Sequence, residues 1–375
     1  MYKRQIENKI SNKLGDGKAI VLIGPRQVGK TTLVKKLLNN KEFLFIDGDD
    51  PGDRELVGDA NTSQLRSIIG NHKLVFIDEA QRIKNIGLSM KIIIDQIKNV
   101  QLIASGSSAI YVSNELNEPL TGRKWEYTLL PISWSEYEEK HGYLESEKQL
   151  ENRLLYGFYP EVLNNEGSEK QVLKQLVNSY LYRDVLSLAN IKKPEIVEQL
   201  LKALALQIGN EVNYSELARL IGVDKNTVSR YIDILSKNYI IFKLGSFSRN
   251  LRNEIKHNSK IYFYDNGVRN MIIGNFSPLD IRPDKGALWE NFLISERIKQ
   301  YHYNDLFTNY YFWRSKQQQE VDYVEEDAGV IKGFEFKWKA SKNVKLPKTF
   351  VNAYKAQSNI IDRKNFREFV MMDIK

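Results

Sequence analysis

Gly24-Pro25-Arg26-Gln27-Val28-Gly29-Lys30-Thr31 has the spacing G-x-x-x-x-G-K-[ST], with Thr32 beside it. Glycines at these positions let the backbone curl so that successive N–H groups face phosphate oxygens. Lys30 then supplies a point charge to the β- and γ-phosphates, and Thr31 supplies a hydroxyl to Mg²⁺. Asp78-Glu79 ends the apolar run Leu74–Ile77. A carboxylate at the carboxyl end of a buried strand suits the other side of that Mg²⁺, and Glu79 is placed to polarise an attacking water. The competing reading of Glu79 is a surface carboxylate in a turn. Ser107, in Ser105-Gly106-Ser107-Ser108, is a candidate sensor of the γ-phosphate, or simply part of a Gly/Ser turn. Arg123 is read as an arginine finger for a neighbouring subunit or as a surface arginine.

A second group of residues suggests metal chemistry. Glu290 lies on an amphipathic stretch, and Asp322 on the alternating run Glu320–Val324. Glu335 and Lys337 share one face of Gly333–Trp338, beyond the turn Asp327-Ala328-Gly329. Asp, then Glu-x-Lys one hairpin later, is the pattern of the PD-(D/E)xK nucleases. In it, Asp322 and Glu335 would hold Mg²⁺ or Mn²⁺, Glu290 would add a carboxylate, and Lys337 would orient a metal-bound water. A degenerate fold that binds without cutting is the alternative, and Glu320 could be a ligand or a cation's partner.

A third group suggests recognition. Val212–Val223 and Asp224–Leu235 read as two short helices with apolar stripes, joined at Gly222. With Tyr239–Leu244 and Lys260–Tyr264 as wing strands, this is a winged helix-turn-helix. Lys225, Asn226, Thr227, Ser229 and Arg230 would face a groove, and Arg249 and Arg252 would meet phosphates at the wing tip. A protein-docking module fits the same pattern.

These residues need elements to hold them. Ala19–Ile23, Phe43–Ile46, Leu74–Ile77 and Val100–Ala104 read as buried strands alternating with helices, hence an α/β fold with a parallel sheet. The expected division is a P-loop domain at 1–135 and a helical connector at 136–198. A winged helix at 199–268 and a smaller α/β, restriction-endonuclease-like domain at 269–375 follow. The last is expected to hold a helix, three strands and a basic helical end.

Composition sets limits. The chain has 375 residues, 42% of them hydrophobic and 27% charged, which excludes an intrinsically disordered protein. The absence of cysteine removes disulfides, thiolate-ligated metals and a thiol nucleophile, and suits a reducing cytoplasm. No apolar run approaches the ~20 residues of a bilayer span, so no membrane partner is expected. The net charge is +8 and uneven: from Lys337 onward, ten Lys/Arg face three acids. Lys237–Lys260 carries six against Glu254 alone. Such patches suit nucleic acid, with DNA favoured, or are solvated faces.

Gly24–Thr31, Leu74–Gln81, the Ser-Gly-Ser turn, Thr121-Gly122-Arg123 and Leu129–Tyr137 together resemble prokaryotic AAA+ ATPases. More narrowly, the chain resembles the group that joins an AAA+ domain to a C-terminal domain of unknown function. The resemblance implies ATP as cofactor, its hydrolysis, and homo-oligomers formed through the ATPase domain. The combined expectation is ATP-controlled binding or processing of nucleic acid. The alternative is a nucleotide-switched regulator or scaffold whose C-terminal region docks proteins.

Overall fold

The computed structural model describes residues 1–106, 119–178, 193–248, 259–339 and 344–372. Ser107, Arg249 and Arg252 lie outside them. The chain folds as two compact units: Met1–Ile132 with Lys237–Tyr239, and the remainder.

In the first unit, five parallel strands run in the order β2-β3-β4-β1-β5. They are β1 (Ala19–Ile23), β2 (Leu44–Asp47), β3 (Leu74–Asp78), β4 (Gln101–Gly106) and β5 (Lys124–Thr128). Every residue of β1 is buried, as expected of a central parallel strand covered on both faces. β5 pairs with β1 and extends the sheet by a strand beyond the four read from the apolar runs. Ile46, Val75, Ile77, Leu102 and Met90 are part of the core on one face. Because all strands are parallel, their carboxyl ends share one edge. Helix α1 (Lys30–Leu37) leaves that edge after β1 and buries Leu33 and Val34.

The second unit has one seven-stranded sheet, β12-β11-β10-β9-β7-β8-β6. Its strands are β6 (Glu211–Val212), β7 (Ile241–Ser246), β8 (Ser259–Phe263), β9 (Asn309–Arg314), β10 (Glu320–Asp327), β11 (Val330–Phe336) and β12 (Gln357–Ile361). Two antiparallel groups are joined by a parallel β7–β9 pair, so the residues read as wing strands continue into the C-terminal sheet. Gln357–Ile361, expected in a helical end, is a strand parallel to β11. Its exposed Gln357 and Ser358 hid it, since an edge strand lacks a continuous apolar run.

Helices α2 (Trp134–His141), α3 (Tyr143–Tyr156), α4 (Asn266–Ile273) and α5 (Lys285–Asn304) pack within this unit. Ser133 and Glu136 form a capping box at the start of α2. Trp134 is fully buried edge-on against Phe158, Phe292 and Phe366. Tyr137, Leu150, Leu154 and Phe158, at the start of the expected connector, are buried in the core of this unit as well. At Gly157 (φ 73°) a Cβ would lie 2.0 Å from Asp265 Oδ1, so only glycine admits the carboxylate that caps α4. α5 is buried almost all round from Leu288 to Tyr303, and its charges are paired internally: Glu296 with Lys299 at 2.7 Å, Arg297 with Glu325 at 2.7 Å. Among the described residues, no helix is long and apolar enough to cross a membrane.

Candidate functional site

The phosphate loop joins β1 to α1 through three residues with positive φ: Gly24 (147°), Gln27 (60°) and Gly29 (92°). A Cβ on Gly24 would lie 2.0 Å from the Leu129 carbonyl oxygen, so close backbone approach, as well as φ, requires glycine. Lys30 is buried, and its Nζ donates to the carbonyls of Gly24 (3.0 Å) and Pro25 (2.7 Å). Burial pulls its pKa down to about 8, with Arg26 adding to the fall against the pull of Glu79 and Asp78.

β3 brings Asp78 to the same edge. The Thr31 hydroxyl donates to Asp78 Oδ2 at 2.6 Å, and the Ser105 hydroxyl donates to Asp78 Oδ1. Two hydroxyls and one carboxylate thus converge on a single spot, a hard-oxygen donor set that suits Mg²⁺. Glu79 follows in the left-handed region (φ 46°), a costly backbone state for a residue other than glycine. Its carboxylate accepts from Gln81 Nε2 at 2.6 Å and lies 3.8 Å from Arg26. Gly48 packs beneath: a Cβ there would sit 2.3 Å from the Glu79 carbonyl oxygen.

Two residues of this site were not read from the sequence. Ser105 reaches Asp78, while Ser107 lies outside the described residues. The signal was in the register, since Ile77 pairs with Ala104 and the next position sets Ser105 beside Asp78. Arg4 is buried, and its guanidinium donates to the carbonyls of Val28 (2.9 Å) and Leu130 (2.6 Å). Nothing local marks it, because both partners are far along the chain.

Arg123 stands just before β5, at the sheet edge opposite the phosphate loop. There it forms an ion pair with Asp95 at 2.7 Å and donates to the Thr121 carbonyl. It cannot reach its own subunit's nucleotide site.

In the second unit, the β10–β11 hairpin turns through Ala328 (φ 47°) and Gly329 (φ 83°) and sets Tyr323 opposite Phe334. Asp322 and Glu335 thereby become neighbours, and Asp322 accepts from the Phe336 N–H at 2.8 Å. Lys337 pairs with Glu335 at 2.7 Å. Glu290, on α5, accepts from Tyr262 Oη at 2.5 Å and pairs with Lys260 at 3.3 Å. Lys260 is fully buried and pairs with Glu320 as well. Burial and the charges of Glu290 and Glu335 raise the Asp322 pKa well above the carboxylate range. Burial disfavours the charged Lys260, but Glu290, Glu320 and Asp322 outweigh it and raise its pKa. Among the described residues, no three acidic or histidine side chains gather closely enough to hold a metal ion. The expected Glu290–Asp322–Glu335 set does not fit Mg²⁺ or Mn²⁺ as arranged: an ammonium meets the carboxylates instead. Lys260 and Tyr262 had been read as wing-strand residues, and only the β8–α5 packing reveals them.

Helix α6 (Lys225–Lys237) begins with Lys225, Asn226 and Arg230 exposed. Thr227 is turned to the cap, its N–H and hydroxyl both donating to Asp224 at 3.0 and 2.6 Å. Ser229 is half-buried, and Arg230 lies over the Tyr231 ring.

A family described as an AAA domain matches residues 16–138. Two families described as domains of unknown function match 147–279 (DUF8612) and 285–371 (DUF4143). An uncharacterized protein of Mycobacterium tuberculosis is 25% identical over 340 residues, 89% of this chain and 74% of that protein. One of Methanocaldococcus jannaschii is 26% identical over 346 residues, 85% of this chain and 74% of its own length. The solved Walker-type ATPase of Pyrococcus abyssi superposes with a TM-score of 0.52 at 18% identity, covering 72% of this chain and 96% of that one. That likeness shows the fold. The chain carries a P-loop, AAA-like ATPase domain joined to a C-terminal domain.

Proposed function

We propose that the chain binds and hydrolyses ATP with Mg²⁺ at the β1–β3–β4 edge. The observation that carries this reading is the convergence of Thr31, Asp78 and Ser105, with Lys30 and the left-handed Glu79 on either side. When bound, Mg²⁺ would be held by Thr31 and Asp78 and would neutralise phosphate charge. Lys30 attracts the β- and γ-phosphates. Glu79 orients and receives a proton from water, with Gln81 fixing its carboxylate. The loop from Arg26 to Gly29 supplies N–H groups to the phosphates, and Arg4 holds its backbone from behind.

The second unit we read as a nucleic-acid contact under nucleotide control, with Lys225, Asn226 and Arg230 as its exposed polar face. Those three exposed side chains on one helix start favour it over a protein-docking surface. The Lys260-filled carboxylate cluster supports binding without cleavage. In this reading Arg123 serves a neighbouring copy of the chain.

The test is isothermal titration with ATP and Mg²⁺, followed by binding of a DNA duplex at low and high salt. Lys30→Ala is expected to lose ATP binding, and DNA affinity is expected to fall steeply with salt. ATP affinity unchanged in Lys30→Ala would overturn the first assignment, and no DNA binding at low salt the second.

A further inference from the structure

The sheet edge opposite the phosphate loop carries a pocket of about 590 Å³, within the usual range of small-molecule sites. Its walls include the segments that lead into β1, β3 and β4. Leu14, Ile94 and Ile97 give it an apolar side. Lys41, Lys73 and Lys98 come to its rim from three separate segments. All three are exposed, and among the described residues none of their ammonium groups is in a hydrogen bond or ion pair. The acids carried by neighbouring positions are engaged elsewhere: Asp16 with Lys13 and Trp125, Asp95 with Arg123, Glu42 beside His72. The wall is built, not loose. Gln101 accepts from the Gly15 N–H at 2.6 Å and donates to the Lys18 carbonyl at 3.0 Å, which ties the segment before β1 onto β4.

Three unpaired positive charges around an apolar wall select one kind of ligand. A neutral apolar molecule would leave the charges unused, and a small inorganic anion would leave the wall unused. We propose that this pocket is a second ligand site, taking an organic anion: a phosphate or carboxylate group on Lys41, Lys73 and Lys98, and an apolar body against Leu14, Ile94 and Ile97. The site does not depend on the ATP reading. Its position gives it a route to the nucleotide edge, because Leu74 begins the strand that ends in Asp78 and Gln101 begins the strand that carries Ser105.

The full chain would be titrated with 8-anilinonaphthalene-1-sulfonate, an apolar body with one anionic group, and followed by fluorescence. Saturable binding at one equivalent is expected. The triple variant Lys41→Glu, Lys73→Glu, Lys98→Glu should weaken it about tenfold or more. A charge-matched control on the other unit, Lys225→Glu with Arg230→Glu, should leave it unchanged. Lys30→Ala should also leave it unchanged, which places the dye outside the phosphate loop. Uncharged N-phenyl-1-naphthylamine should bind about tenfold more weakly than the sulfonate. Competition by phenyl phosphate against benzoate then tells which head group is preferred. Absence of saturable binding, loss in Lys30→Ala, equal loss in the control pair, or equal binding of the neutral dye would each overturn the proposal.

Discussion

Replacing Arg4 with Met keeps most of the side-chain volume and removes the guanidinium that grips Val28 O and Leu130 O. The carbonyl of Val28 and the N–H of Gly29 belong to one planar trans peptide and point in opposite directions. Holding that carbonyl therefore aims the Gly29 N–H to the other side, into the phosphate loop. Two hydrogen bonds from a charged donor are worth ~1.5–3 kcal/mol each, and rehydration of the freed carbonyls returns part of that. A net loss of about 2–4 kcal/mol from the first unit follows. About 1.4 kcal/mol of it expressed in the loop would weaken ATP about tenfold. The assay is a thermal melt with and without ATP, together with a titration. The transition that ATP raises identifies the first unit, since a ligand stabilises what it binds. Arg4→Met should lower that transition and weaken ATP, whereas Arg4→Lys, which can reach one carbonyl, should fall between. ATP affinity within about twofold of wild type, with the transition unmoved, would refute the peptide-orientation argument.

Other outcomes follow from the same geometry. Lys30 is charged below about 8 and neutral above it in the free protein, and phosphate needs the charged form. ATP affinity should therefore hold below that pH and weaken as pH rises through it, about tenfold between pH 7 and pH 9 in a titration series. Lys260→Met removes the buried ammonium shared by Glu290, Glu320 and Asp322, leaving Glu320 only the longer pair with Arg314 at 3.8 Å, at a cost of roughly 3–5 kcal/mol. Its melt should fall well below wild type, and added Mn²⁺ should recover part of the loss in the variant alone; recovery in wild type too would contradict the lysine-for-metal arrangement. Lys225→Glu with Arg230→Glu should weaken DNA and flatten its salt dependence while ATP titrates as before; an unchanged salt slope would remove α6 from the interface.

The nucleotide site was legible because its chemistry is local: the loop, its lysine and the Asp-Glu pair each lie at the end of an apolar strand. What escaped reading depended on register or distant packing. Ser105 required knowing that Ile77 pairs with Ala104. Arg4 acts across 24 and 126 residues of chain. The second unit was harder. Alternation correctly set Glu335 and Lys337 apart from the buried Phe334 and Phe336, but Lys260 belongs to a strand read as a separate domain. The parallel β7–β9 pair, which puts those strands in one sheet, leaves no local mark. Arg123 was legible as a loop arginine, yet its place at the opposite sheet edge needed the direction of β5.

The most direct measurement is phosphate release from the purified chain with ATP and Mg²⁺, compared with Glu79→Gln. That variant keeps the size of the side chain and removes the base. The account predicts steady release by wild type and at least a ~100-fold slower rate in Glu79→Gln, with ATP still bound. Equal release by the two proteins, or none from wild type although ATP binds, would contradict it.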